Sequence, residues 1–344
     1  MKNIKAKYIL PFFTMVVMVL GLFSSCDNES DSGTTLAITS VVKAEEGDLT
    51  PVTQGDPKNY YIIRGTGLSS VQKIYFNDFD TYFNPVLVTD TEIFVLIDEK
   101  TPYANASNKL KVVTKSGTVI YDFIVRPPVP TVLGFQPINA VAGDEVVIKG
   151  KYFLNPTVTI GTVNVPVVSS TLEEIKIKLP AGVDKKYITV TNISGSAVSK
   201  QSVGSAAYDD GFYLLDYIGP WGNYPLDIAN TQDAFQGVKS IKAEFPGWSG
   251  MDIKFKTQKD ITAYKSVRIA LKGAKEGSLK LVFNGDNGGW SYQIIMPLST
   301  AWTVVEVPFK DIGDPTFLDK LTFQESGNFG GNTILIDDIG FVLK

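Results

Sequence analysis

Short runs of β-branched and aromatic residues, separated by glycine, proline, asparagine and aspartate, recur along this chain after residue 36. Runs of this length are typical of strands, and the residues between them are those that form turns. Examples are residues 60–63, 146–148, 175–179 and 279–283. No long stretch has the 3.6-residue apolar periodicity of an amphipathic helix. The pattern therefore predicts an all-β fold made of β-sandwiches.

Two segments of the chain repeat one another, and 344 residues are enough for two or three domains. The first copy spans 61–117 and the second 146–195. In each copy a β-branched strand ends at a glycine, Gly65 or Gly150, before a turn. We expect positive φ there, which costs glycine little.

The second copy carries four recognisable segments, at 148–153, 159–161, 180–182 and 188–195. They resemble the IPT/TIG immunoglobulin-like family, in which a strand ends in Gly-x-x-aromatic and a Pro-x-Gly follows later. The first copy is similar but has Leu68 in place of the aromatic and lacks the Pro-x-Gly. The resemblance implies two immunoglobulin-like sandwiches, at 37–126 and 127–205, that act as spacers. A proline-rich stretch at the start of the second should be a stiff connector.

Composition excludes several classes of function. The chain contains no histidine, which rules out Ser–His–Asp triads and histidine zinc sites. Its formal net charge is −4, or −7 once the three lysines of the N-terminal leader are removed, and it has no long basic run. Nucleic acid is therefore not an expected partner. Any catalysis would depend on carboxylates, lysine, tyrosine or a hard metal ion.

The N-terminus has the pattern of a secretory signal. Lys2, Lys5 and Lys7 precede an apolar stretch at 8–23, and small residues lead to Cys26, the only cysteine. Residues 1–25 resemble a lipoprotein signal peptide, which implies acylation of Cys26 and anchoring in the outer-membrane bilayer. An uncleaved signal anchor is the alternative. A chain with one cysteine forms no internal disulfide, so its domains must be stabilised by their cores.

The segment after Cys26 is polar and acidic, which predicts a flexible tether at 26–36. It also resembles the export signal of surface lipoproteins in some Gram-negative bacteria. That resemblance implies an outer-membrane location facing the cell exterior rather than the periplasm.

All four tryptophans lie between residues 208 and 344. Trp302 lies on an alternating strand and is expected to be half-buried, whereas Trp221, Trp248 and Trp290 lie in turns rich in glycine, proline or asparagine. Aromatic side chains in turns stay near water and suit the apolar face of a sugar ring, with polar neighbours for its hydroxyls. Core packing or loop anchoring remains the alternative for each. The predicted glycan-binding residues are Trp221, Trp290, Trp248, Tyr224, Tyr292, Asn287 and Asp286.

Five segments of the C-terminal part, at 208–211, 237–242, 260–267, 302–308 and 334–339, keep the order of a known module. They resemble the jelly-roll carbohydrate-binding modules of surface glycan-binding lipoproteins. The resemblance implies a carbohydrate-binding jelly roll at 206–344 with no required cofactor. Such modules often hold a structural calcium, for which the candidate ligands here are Asp209, Asp210, Asp337 and Asp338. Solvated acids at capped strand ends are the alternative.

The leading hypothesis is a non-catalytic lipoprotein that captures a plant polysaccharide for uptake at the cell surface. The implied ligands are a β-glucan or hemicellulose such as xyloglucan, mixed-linkage glucan or β-mannan. The resemblance also implies a partnership with a TonB-dependent transporter complex. A protein-binding adhesin or spacer is the main alternative. A glycoside hydrolase is less favoured, because no segment resembles a catalytic motif and acids adjacent on a strand point to opposite faces.

Overall fold

The computed structural model describes residues 35–45, 47, 49–284, 292–326 and 330–344. The chain divides after Arg126 into two compact units. Within the described ranges the structure consists of strands and one 3-10 turn, Phe309–Ile312, and the predicted all-β fold is confirmed. No helix in these ranges is long and apolar enough to cross a membrane. The predicted signal peptide and Cys26 lie outside the described residues.

The first unit is a β-sandwich whose two main sheets enclose one apolar core. Alternation along its strands places residues such as Tyr61 and Ile63 inside, because successive side chains point to opposite faces. Leu36, assigned to the tether from the sequence, packs against this core. The strands are β1 (Ala37–Lys43), β2 (Gln54–Gly55), β3 (Tyr60–Thr66), β4 (Val71–Phe76), β5 (Phe79–Thr81), β6 (Phe83–Val88), β7 (Glu92–Leu96), β8 (Lys109–Thr114), β9 (Gly117–Asp122) and β10 (Ile124–Val125). The sheet orders are β1-β3-β7-β6 and β5-β4-β8-β9, with β2 and β10 as a parallel pair.

The second unit begins with another sandwich of the same kind. Its strands are β11 (Thr131–Gln136), β12 (Glu145–Lys151), β13 (Thr157–Ile160), β14 (Val163–Val165), β15 (Val167–Ser170), β16 (Glu174–Lys178), β17 (Tyr187–Asn192) and β18 (Gly195–Ser202). The sheets run β11-β12-β16-β15 and β14-β13-β17-β18. Phe135 and Phe153 are the largest side chains of its core.

The C-terminal domain is a larger antiparallel sandwich with jelly-roll architecture, as predicted. Its strands are β19 (Ala206–Tyr208), β20 (Leu215–Pro220), β21 (Leu226–Asn230), β22 (Ser240–Phe245), β23 (Gly250–Asp260), β24 (Tyr264–Gly273), β25 (Gly277–Phe283), β26 (Gln293–Leu298), β27 (Thr303–Pro308), β28 (Phe317–Glu325) and β29 (Asn332–Leu343). One sheet runs β21-β22-β29-β24-β27, with β19 also paired to β29. The facing five-stranded sheet runs β20-β23-β28-β25-β26. A single large core lies between them.

The glycines shared by the two repeats have a role different from the predicted one. Neither Gly65 nor Gly150 has positive φ. Each instead faces a bulge in the neighbouring strand, where a Cβ would lie 2.0 Å from the carbonyl oxygen of Ala37 or Thr131. A glycine is therefore required in each copy because the adjacent backbone approaches too closely for a side chain.

Gly150→Ala should destabilise the second unit. The new methyl group would overlap the Thr131 carbonyl and lie 2.3 Å from Cζ of Phe153, so both backbone and core must shift. Overpacking of this kind costs about 1–3 kcal/mol in free energy of unfolding, which urea titration would measure. Gly222→Ala is the matched control, because, apart from its two neighbours in the chain, no described residue lies within 4 Å of the place that its methyl group would take. Equal stability of the two variants would contradict this account.

Candidate functional site

Two half-exposed aromatic rings lie along the outer face of the five-stranded sheet. A bulge between Leu215 and Tyr217 shifts the β20–β23 register, so Tyr217 points away from the core. Tyr217 lies across Gly219, whose Cβ would be 1.8 Å from the tyrosine hydroxyl. Trp221, just after β20, lies over Gly250 in the same way, with its ring atoms at 3.0–3.1 Å from that Cβ position. Each ring therefore packs against a glycine, whose missing side chain leaves room for it.

Trp248 joins the same corner of the sheet from the turn before β23. Its backbone adopts φ +64°, which is uncommon for a bulky residue and is found where surrounding contacts impose it. Its N–H donates to Oε2 of Glu325 at 3.0 Å, and its carbonyl accepts from Gln324 at 3.1 Å. The indole is 50% exposed, against 43% for Trp221 and 48% for Tyr217. We call Tyr217, Trp221 and Trp248 the aromatic corner.

Polar side chains continue the same face beside the aromatic corner. Oδ1 of the partly buried Asp252 accepts from the Thr322 hydroxyl at 2.6 Å, and Nζ of Lys320 lies 3.9 Å from its Oδ2; Thr322 and Lys320 are themselves buried. Lys254, the cross-strand neighbour of Tyr217, is exposed. An apolar ring surface next to carboxylate, amide and ammonium groups can hold a sugar ring by its C–H face and hydrogen-bond its hydroxyls.

Tyr224, predicted to contact glycan, has a structural position instead. Its ring packs edge-on against Phe245 at 5.4 Å between centroids, against the domain core. Its hydroxyl donates to the Gly250 carbonyl. Burial raises the pKa of Tyr224 to about 12. The tyrosine thus supports the backbone beneath Trp221 rather than presenting its face to a ligand.

The structure places Tyr292 away from the aromatic corner. Its carbonyl accepts from the Phe283 N–H at 2.9 Å, and its ring lies over Gly313. Phe283 pairs with Leu321, three residues along β28 from Gln324, which is about 10 Å at strand spacing. Tyr292 is 44% exposed. Trp290, Asn287 and Asp286, also predicted to bind glycan, lie outside the described residues.

Trp302 is half-buried, as expected for its alternating segment. Its indole N–H donates to Oδ1 of Asp233 at 2.7 Å, and its ring lies 5.9 Å from that of Phe235. Asp233 also pairs with Lys272 at 2.6 Å. Trp302 therefore anchors the loop that follows β21.

The four acids suggested as calcium ligands lie where the second sandwich meets the jelly roll. Asp209, Asp337 and Asp338 are buried. Oδ2 of Asp337 accepts from the backbone N–H groups of Phe235 and Gln236 at 2.8 and 3.2 Å. We refer to Asp209, Asp337 and Asp338 as the buried acids. The alternative prediction of solvated acids at capped strand ends is wrong for these three residues, because they are buried.

Side chains of both domains form the remaining hydrogen bonds and the ion pair of these acids. Asp338 forms an ion pair with Arg268 and accepts from Gln201 of the second sandwich at 3.0 Å. Asp209 accepts from Gln136 of the second sandwich and Gln236 of the jelly roll, at 3.2 and 3.3 Å. The fourth acid, Asp210, accepts from the backbone N–H groups of Val238 and Lys239. The bonds from Gln136 and Gln201 join the two domains of the second unit.

This arrangement does not fit a calcium site. Oδ1 of Asp338 and Oε1 of Gln201 have no hydrogen-bond donor among the described residues, and both are hard oxygen ligands. The Arg268 guanidinium, however, already places a positive charge at the same carboxylate, and it would repel a second cation. Across the described ranges, no three acidic, histidine or cysteine side chains gather into a metal-binding group.

Burial also sets the protonation of these acids. Desolvation raises the pKa of Asp337 to about 7, although three backbone N–H groups favour its charged form. Desolvation likewise raises the pKa of Asp338 to about 7, against the opposing charge of Arg268. The pKa of Asp209 is raised for the same reason.

Asp337→Asn should flatten the pH dependence of stability. Because the pKa of Asp337 in the folded state lies above its ordinary value of 3.8, the folded protein binds more protons than the unfolded between about pH 4 and pH 7. Its contribution to stability therefore falls as pH rises through that window, by at most about 1.4 kcal/mol per pH unit. Urea unfolding between pH 5 and pH 8 would measure the slope, with exposed Asp311→Asn as the control. Parallel slopes for wild type and Asp337→Asn would contradict the assignment.

Comparison with known proteins gives matches to both domains of the second unit. Residues 130–206 match the IPT/TIG domain family model, and residues 217–344 match that of the expansin-like protein C-terminal domain. A curated IPT/TIG domain-containing protein from Bacteroides ovatus is 25% identical over 154 residues, which is 42% of this chain. The match spans only 29% of that relative's length.

Among solved structures, the surface glycan-binding protein PbSGBP-B from Prevotella bryantii is similar over 90% of this chain and 99% of its own, with a TM-score of 0.52 and 18% identity. An SGBP-B from a complex xyloglucan utilization locus in Bacteroides uniformis aligns over the same shares, with a TM-score of 0.39 and 14% identity. Residues 130–206 are thus similar to IPT/TIG domains, and the chain has the fold of PbSGBP-B.

Proposed function

We propose that this protein is a non-catalytic glycan-binding lipoprotein and that the aromatic corner binds the glycan. The observation that carries the proposal is the half-exposed placement of Tyr217 and Trp221 against glycines, with Trp248 in the adjoining turn. Large aromatic side chains exposed together on one surface mark an interaction site. Their rings are ordered before any ligand arrives, which lowers the entropy lost on binding.

The ligand we propose is an extended β-linked plant polysaccharide, either a β-glucan or a hemicellulose such as xyloglucan, mixed-linkage glucan or β-mannan. Tyr217, Gly219 and Trp221 alternate along one strand, so the two rings form a row rather than a closed pocket. A row of rings suits an extended chain. The fold shared with PbSGBP-B, itself a surface glycan-binding protein, supports a glycan as the ligand.

We further propose that Cys26 is acylated and holds the protein in the outer membrane, facing the cell exterior. The apolar segment before Cys26 and the acidic segment after it support this location. The captured polysaccharide would then pass to a TonB-dependent transporter complex in the same membrane.

The burial and hydrogen bonding of the aspartate side chains favour binding without catalysis over glycoside hydrolysis. A hydrolase needs two carboxyl groups flanking the scissile bond. Asp209, Asp337 and Asp338 are buried and bonded to protein groups, so they cannot reach a substrate. On the face with the aromatic corner, Asp252 is bonded to Thr322.

A protein-binding role is the second candidate, and the first sandwich supplies its supporting observation. Tyr60 stacks on Phe94 at 4.9 Å between centroids on an outer face. Val86 is 86% exposed on the neighbouring part of the same sheet. Exposed apolar side chains in a group are typical of protein interfaces.

Trp221→Ala and Trp248→Ala should each weaken glycan binding at least tenfold, about 1.4 kcal/mol, because each removes an exposed ring from the proposed site. Affinity electrophoresis against a panel of β-glucans and hemicelluloses would measure retardation. Since both indoles are about half exposed, the melting temperature should change little.

The control is Tyr82→Ala, which removes an aromatic ring that is 80% exposed on the first sandwich. Its retardation should equal that of the wild type. Weaker binding in Tyr82→Ala with normal binding in both tryptophan variants would place the site on the first sandwich. Failure of the folded wild type to bind any glycan would favour the adhesin or spacer role.

A further inference from the structure

A groove separate from the aromatic corner lies in the second unit, between the outer face of the β11-β12-β16-β15 sheet and the jelly roll. It is a groove of about 740 Å³, within the size range of ligand sites. Strands β11, β12 and β16, together with Lys200 of the edge strand β18, line one side, and residues 234–237 of the jelly roll line the other. We call it the junction groove. None of the aromatic corner lies in it.

The junction groove is basic, although the protein is acidic overall. Lys149, Lys176 and Lys200 line it, with Glu174 as the acidic member of the lining. Lys176 is 3.6 Å from Glu145, a neighbour outside the groove. Lys149 faces Glu174 across the β12–β16 ladder, but within the part of the chain that the structure describes neither Lys149 nor Lys200 forms an ion pair, and both are exposed. Two ammonium groups are thus available to an anionic ligand.

The rest of the lining combines apolar and amide groups. Leu133 is 59% exposed, and Phe235 presents part of an aromatic ring. Gln136 and Gln236 contribute side-chain amides, whose N–H groups already bind Asp209 and whose oxygens can accept from hydroxyl groups. An aromatic ring with amides is the chemistry that suits a sugar, and the lysines add the chemistry that suits a carboxylate.

The buried acids hold this lining in place. Oδ2 of Asp337 fixes the backbone of Phe235 and Gln236, and Asp209 accepts from both glutamine amides. At Gly134, a Cβ would lie 2.8 Å from Oε1 of Gln236, so the two domains approach closely at the floor of the groove. The groove is therefore formed before any ligand binds.

We propose that the junction groove binds sugars that carry carboxylate groups, such as uronic acid residues of a plant polysaccharide. Lys149 and Lys200 bind the carboxylate, while Phe235 and the glutamine amides contact the ring and its hydroxyls. The ligand class rests on the proposed glycan-binding function, but the surface differs from the aromatic corner. The protein then has one surface for the neutral main chain of the polysaccharide and another for its acidic substituents.

The test is affinity electrophoresis of the purified chain in gels containing glucuronoxylan or polygalacturonate. The same polymers after chemical reduction of their carboxyl groups serve as neutral counterparts. We expect retardation by at least one of the two acidic polymers, and at least tenfold weaker binding after carboxyl reduction. Lys149→Gln/Lys200→Gln should show the same tenfold loss on the acidic polymer.

A matched control carries the same charge change elsewhere. Lys100→Gln/Lys115→Gln alters two exposed lysines of the first sandwich and should bind the acidic polymer as the wild type does. An equal loss in both double variants, equal binding of the reduced polymer, or no retardation by either acidic polymer would overturn the proposal. Equal retention by poly-L-glutamate would also overturn it, since that result indicates a general polyanion or acidic-protein surface.

The two sites can fail independently. Loss of neutral-glycan binding in Trp221→Ala, with lysine-dependent binding of the acidic polymer retained, would support both. Lysine-dependent binding of uronates by a protein that binds no neutral glycan would support the groove and contradict the role of the aromatic corner. Binding of neutral glycan alone would leave the proposed function intact and overturn the groove.

Discussion

The second unit depends on three carboxyl groups buried between its two domains. Removing a carboxylate from water is costly unless it is protonated, paired or hydrogen-bonded, and all these forms of compensation are present here. Arg268 pairs with Asp338, backbone N–H groups bind Asp337, and raised pKa values favour the neutral forms of both acids. Because Gln136 and Gln201 reach these acids from the second sandwich, the sandwich and the jelly roll cannot separate without exposing unpaired polar groups. The junction therefore acts as a rigid joint.

Close packing around glycine is the second constraint, and it connects the fold to the site. The backbone carbonyl of a bulged neighbouring strand packs against Gly150, whereas aromatic rings pack against Gly219 and Gly250. In each case the missing side chain lets another group lie against the backbone. At the outer face of the jelly roll, this lets Tyr217 and Trp221 pack against the backbone. Close approach to glycine thus shapes both the sandwich interior and the surface proposed to bind glycan.

Much of the fold could be predicted from the sequence, because strand alternation and turn residues are local signals. The proposed site was predictable only in part. The sequence singled out Trp221 and Trp248 because each lies beside glycine in a turn. It did not single out Tyr217, because the bulge between Leu215 and Tyr217 breaks the alternation with the core-facing Leu215. The alternation of Tyr217, Gly219 and Trp221 was a signal that could have found it. The sequence did not indicate the packing position of Tyr224, because its contact with Phe245 joins residues that are distant in the sequence.

The buried acids are a clearer case of contacts that the local sequence does not predict. Adjacent aspartates at both ends of a domain look like oxygen ligands for calcium, and nothing local to them indicates Arg268 as their partner. That pairing arises only when β24 and β29 lie side by side in the sheet. Once it forms, the guanidinium supplies the positive charge that a metal would have supplied, while the remaining acids bind the loop that carries Phe235 and Gln236. An internal cation thus lets the domain joint and the adjacent groove form from the chain's own residues.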